Sequence, residues 1–98
     1  MANTVIVSIK TKAGSFAENK DVARELRTRH IVPALEKGKI VILDFEGVTG
    51  ATQSFMHALI SATIRKYGND VFDQLRFKDC SPIVREVVTI VSDYMQDY

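Results

Sequence analysis

Ile40-Val41-Ile42-Leu43-Asp44-Phe45-Glu46-Gly47-Val48-Thr49-Gly50-Ala51-Thr52-Gln53-Ser54-Phe55 is the stretch on which the fold turns. Its four leading aliphatics do not alternate with polar residues, so Lys39 to Phe45 predicts a central strand covered on both faces. Asp44 to Thr52 then carries Gly47 and Gly50, as a strand-to-helix loop would. Beyond it, Phe55, Met56, Leu59, Ile60, Ile64 and Tyr67 recur at helical spacing, and Gly68-Asn69 stops that helix.

Upstream, Val5, Val7 and Ile9 alternate with Ile6 and Ser8, which predicts a strand. Thr11 to Asn19 keeps no period and is expected to form a turn or a short hairpin, with Phe16 packing back. From Lys20 the spacing becomes helical through Val22, Leu26, Ile31 and Leu35. Pro33 cannot donate to the preceding turn, so a kink or restart is expected between His30 and Pro33, and Gly38 ends the element. Downstream, Leu75 and Phe77 flank Arg76 in a short strand. Ser81 then caps a last helix, Pro82 fills its first position, and Val84, Val87, Val88, Val91, Tyr94 and Met95 form its buried side. Strand and helix alternate three times. That order predicts an α/β domain spanning 1–98, with a small, mostly parallel mixed sheet and about three helices packed on it.

The chain has 98 residues, room for one domain. Its 13 basic and 12 acidic residues give a net charge of +1, which argues against a nucleic-acid binder that relies on backbone charge. Cys80 is the sole cysteine, so no intrachain disulfide and no cysteine-based zinc site can form. The longest apolar run is far shorter than a bilayer span, and MANTVIVSIK lacks the pattern of a signal peptide. The expected compartment is the cytosol, with no membrane partner.

In an open parallel sheet, function gathers where strands end and helices begin. Thr49, Thr52 and Ser54 place hydroxyls near a helix N-terminus, where unpaired amides favour an anion or a phosphate made on one of them. The plainer alternative is that Thr52 caps the helix and Ser54 lies in its first turn. This loop has no lysine before a Ser or Thr as a Walker A sequence requires, and its two glycines do not make a dinucleotide fingerprint, so no cofactor is expected. Ser54 and His57 share a helix face, with Asp44 as a conceivable third member, yet no G-x-S-x-G elbow surrounds the serine. A non-enzymatic role is therefore expected. His30 and His57 lie on different elements and imply no metal site. Lys20, Arg24, Arg27 and Arg29 make the first helix basic on its outer side, either a solvated face or a contact for an acidic partner. The closing Asp93-Tyr94-Met95-Gln96-Asp97-Tyr98 is expected to pack Tyr94 and Met95, with a homodimer contact as the alternative.

Ile31-Val32-Pro33-Ala34-Leu35-Glu36, Val41-Ile42-Leu43-Asp44-Phe45-Glu46-Gly47-Val48 and Gln53-Ser54-Phe55 together resemble the bacterial STAS-like family of unknown function. That family is similar to the STAS domains, named for sulfate transporters and anti-sigma factor antagonists. The resemblance runs from about Asp21 to Asp93. It implies a regulatory protein that docks onto a histidine-kinase-like ATPase, a serine kinase or a sigma-regulatory protein. In antagonists, a serine at the start of this helix is phosphorylated by such a partner. The resemblance makes Ser54 the acceptor, Thr52 a second candidate, and Asp44, Gly47, Gly50, Gln53, Met56 and His57 the loop and partner-binding residues. Gln53 stands where antagonists usually have Asp, and Met56-His57-Ala58 replaces an acidic pair, which implies an altered partner surface. A second reading makes the same glycine-containing loop an anion- or nucleotide-binding site.

Overall fold

The computed structural model describes residues 3–96. Strand β1 (Thr4–Ser8) leads into a short helix α1 (Ile9–Ala13) and a two-residue strand β2 (Phe16–Ala17). Helix α2 (Lys20–Leu26) passes through a π-helical turn (Arg27–Ile31) into α3 (Val32–Glu36). Strands β3 (Ile40–Asp44) and β4 (Gly50–Ala51) precede the long helix α4 (Gln53–Tyr67). A 3-10 segment (Gly68–Asp73), strand β5 (Leu75–Lys78) and helix α5 (Pro82–Gln96) complete the chain.

The principal sheet has the order β1-β3-β5, and both pairings are parallel. Strands β2 and β4 form a separate parallel pair, Phe16 opposite Gly50 and Ala17 opposite Ala51. The fold is thus α/β with small parallel sheets, as the alternation of elements predicts. β3 is central, but its burial alternates, with Val41 and Leu43 buried and Ile40, Ile42 and Asp44 half-buried. The sheet is packed on the face carrying Val7, Val41, Leu43 and Leu75, while Ile6 on the opposite face of β1 is exposed. Four adjacent aliphatics therefore overstated the cover on that second face. Across the packed side, the Phe45 and Phe77 rings stack with centroids 6.3 Å apart.

Local chemistry accounts for the element ends. Ile9 is fully buried but belongs to α1, because the Ser8 hydroxyl accepts from Thr11 N–H at 3.3 Å and caps a helix one residue before the alternation would end. The segment after β1 is accordingly a helix and a short parallel strand rather than a turn or hairpin. Phe16 is 51% exposed. The expected interruption before Pro33 is present: Val32 N–H bonds back five residues to the Arg27 carbonyl, a one-turn π register adjoining the proline, which has no N–H to continue the ladder. Ser81 Oγ accepts from Val84 N–H at 3.2 Å, which starts α5 where serine and proline predicted. On α5, Val84, Val91 and Met95 are buried, whereas Tyr94 is 56% exposed. The core stripe runs through positions 84, 88, 91 and 95, and Tyr94 falls one residue off it. Asp97 and Tyr98, part of the segment weighed as a homodimer contact, lie outside the described residues. Among those described, no helix is long and apolar enough to cross a membrane.

Candidate functional site: the start of α4 and its groove

Helix α4 is anchored first by its buried side. Phe55, Met56, Leu59 and Ile60 are fully buried, each stabilising by about 1.5–3 kcal/mol relative to exposure. That arrangement corrects one expectation. Met56 points into the core and offers a docking partner nothing, because it stands one residue after Phe55 on the same inward-facing arc.

The cap fixes the rest. Thr52 is half-buried, and its Oγ1 accepts from Phe55 N–H at 3.1 Å. Its own N–H donates to the Ala17 carbonyl at 2.9 Å, tying the helix start to β2. Gln53 and Ser54 then occupy the first two positions of the helix, both exposed, and His57 stands exposed one turn on. The Ser54 hydroxyl makes no hydrogen bond among the described residues.

Gln53, Ser54 and His57 open into a groove of about 590 Å³ whose other walls are Lys20, Arg24 and Arg27 from the α2 segment and Tyr94 from α5. Arg27 Nη1 donates to the Ala58 carbonyl at 3.1 Å, a bond that ties the two helices together. Positions 20, 24 and 27 share one helix stripe, so this part of the basic face noted in the sequence meets Ser54. The spacing showed that these three cations lie together. It could not show what they face.

Asp44, Gly47 and Gly50 are placed elsewhere. Asp44 and Gly47 line a second groove with Ser8, Lys10, Thr11 and Glu46. Gly47 has φ +81°, a left-handed conformation that calls for glycine, and the flexible end of the Lys10 side chain lies over it. Asp44 Oδ1 accepts from Glu46 N–H at 2.9 Å. Asp44, Glu46 and Asp79 each bring a carboxylate oxygen within 4.8 Å of the others, a cluster completed by a residue from the far end of β5. Gly50 is buried under Phe16, whose ring carbons would lie 2.9 Å from a Cβ. It shapes the loop from beneath.

The loop thus separates into an acidic end around Gly47 and a basic groove around Ser54. Ser54 and His57 share that groove without hydrogen-bonding to each other, and Asp44 belongs to the other one. On the outer side of α5, Ile83 (61%), Ile90 (41%) and Tyr94 (56%) are exposed, with half-buried Val87 between them. This 4-3-4 stripe leads from Ile83, beside Gly47 and Thr49, to Tyr94 at the Ser54 groove.

No curated protein and no solved structure matches the chain. A family model does, over residues 22–85, from the α2 segment through the loop and α4 to the first turn of α5. The chain belongs to the family described as a STAS-like domain of unknown function (DUF4325).

Proposed function

We propose that this protein is a non-enzymatic, cytosolic protein-interaction switch of the anti-sigma factor antagonist type, controlled by phosphorylation of Ser54. The observation that carries the reading is the position of Ser54. Its exposed hydroxyl, which makes no hydrogen bond among the described residues, lies at the start of a well-capped helix and shares a groove with the exposed Tyr94 at the end of the α5 stripe. A partner covering the α5 stripe would also cover Ser54. A phosphate there introduces about −1.5 to −2 charge inside the covered area, where desolvation and misfit oppose docking. The partner is a serine kinase of the histidine-kinase-like ATPase class or a sigma-regulatory protein.

Thr52 is the weaker acceptor, because its hydroxyl holds the helix cap. His57 and Gln53 contact the partner in this scheme, while Gly47 and Gly50 set the loop's shape. The separation of Asp44 from Ser54 and His57 supports a role without catalysis. An anion or nucleotide on the Gly47 end of the loop is disfavoured, since three carboxylates already meet there.

The test is incubation with ATP and a kinase of this class encoded beside the gene. One phosphate should appear at Ser54, Ser54→Ala should abolish it, and the kinase should bind the unmodified form more tightly than the form with phosphoserine at position 54. A kinase active on another substrate that leaves this chain unmodified would remove the phosphoswitch.

A further inference from the structure

The groove beneath Ser54 concentrates positive charge that its own walls do not neutralise. Lys20, Arg24 and Arg27 line it, and among the described residues no carboxylate does. Lys20 has no ion-pair partner among the described residues. Asp21 lies 3.4 Å from Arg24, but the two side chains are 88% and 59% exposed, and such pairs are worth little. Arg27 uses one N–H on the Ala58 carbonyl and keeps further donors in its guanidinium fork. In a chain of net charge +1 this is a local excess, and a concave site lined by one sign of charge focuses potential on an oppositely charged ligand. The groove, at about 590 Å³, is far larger than a single phosphate needs, and the Ser54 hydroxyl opens into it.

We propose that the groove between α2, α4 and α5 is an oxyanion site whose ligand is the phosphoryl group on Ser54, held within the same chain by Lys20 and Arg24. Arg27 braces α2 against α4 and adds charge. The inference rests on the reading of Ser54 as the acceptor. In the modification, Ser54 Oγ bonds to the γ-phosphorus of ATP, the bond to the departing ADP breaks, and the hydroxyl proton is lost to a base of the kinase. The product dianion turns into the groove. Phosphorylation then changes the docking surface twice, since it adds charge at Ser54 and occupies the cations that an acidic group of the partner would otherwise meet.

The experiment installs phosphoserine at position 54 during translation, so it does not depend on finding a kinase. Phosphorus NMR follows the second ionisation of the phosphate in two proteins, one otherwise unchanged and one carrying Lys20→Gln with Arg24→Gln. Both also carry His57→Gln, so that the only difference between them is the pair of cations. Nearby cations favour the dianion, so the intact groove should lower the midpoint by about one pH unit relative to the double variant. Equal midpoints would overturn the cis clamp, even if a kinase does modify Ser54. In parallel, inorganic phosphate added to the unmodified protein should shift the amide signals of residues 20, 24 and 57, and should fail to do so once phosphoserine engages Lys20 and Arg24 and neutralises their charge. Phosphate that still binds the phosphoserine form would show a site for free oxyanions and overturn the cis assignment. A lowered midpoint together with a kinase that ignores Ser54 would keep the groove and remove the phosphoswitch.

Discussion

Replacing Ser54 by Asp should stabilise the fold, although the same change is expected to weaken docking. Ser54 is the second residue of α4, and the first turn of that helix carries no acidic residue. Its hydroxyl makes no hydrogen bond among the described residues, so little is lost on substitution. A carboxylate in the first turn gains about 0.3–1 kcal/mol from the helix dipole at low ionic strength. Lys20 and Arg24 across the groove add about 0.2–1 kcal/mol as an exposed ion pair would. The total is about 1 kcal/mol, which for a domain of this size raises Tm by roughly 4–8 °C. The reference is Ser54→Asn, of similar shape and without charge. Urea unfolding of both variants should show the difference at about 10 mM salt and lose most of it near 1 M, where the Debye length falls to about 3 Å. Equal stability of the Asp and Asn forms at low salt would refute the placement of these cations around position 54. A difference that survives high salt would refute its electrostatic origin.

Thr52→Ala should cost about 1 kcal/mol of unfolding free energy through loss of the cap on Phe55 N–H, while Thr52→Ser should cost little; equal losses in denaturant melts would remove the cap from the account. Met56→Ala should destabilise by about 2–5 kcal/mol, because the side chain is fully buried, and a near-neutral melt would contradict that burial. Burial pushes the Cys80 thiol above its ordinary pKa, with Arg85 opposing and Asp79 adding to the rise. A raised pKa means less thiolate at any given pH, so alkylation at mildly alkaline pH should be slower in the folded chain than in urea, and equal rates would count against it.

The elements were largely legible because their signals are local. A run of aliphatics ending at Asp44, a Ser-Pro pair at 81–82 and a proline at 33 each act within a turn of the residues that carry them. Where a signal was ambiguous, a local competitor decided it. Ser8 ended β1 by capping α1, a bond that alternation alone does not show. α5 carries apolar residues in adjacent pairs at 83–84, 87–88, 90–91 and 94–95, so its sequence offers two stripes. Only packing decided that 84, 91 and 95 are buried while 83, 90 and 94 face outward.

The sequence by itself determined the alternation of strand and helix, the capped start of α4 and the presence of Ser54 in its first turn. Those features depend on periodicity, caps and backbone restriction, all short-range along the chain. Tertiary structure decided which side chains meet. It buried Met56, parted Asp44 from Ser54, drew Asp79 to Asp44 and Glu46, and set Lys20, Arg24 and Arg27 across a groove from Ser54 and His57. The physical reason is that spacing fixes which residues share a helix face, while the direction in which that face points is set by how α2, α4 and α5 pack on one another.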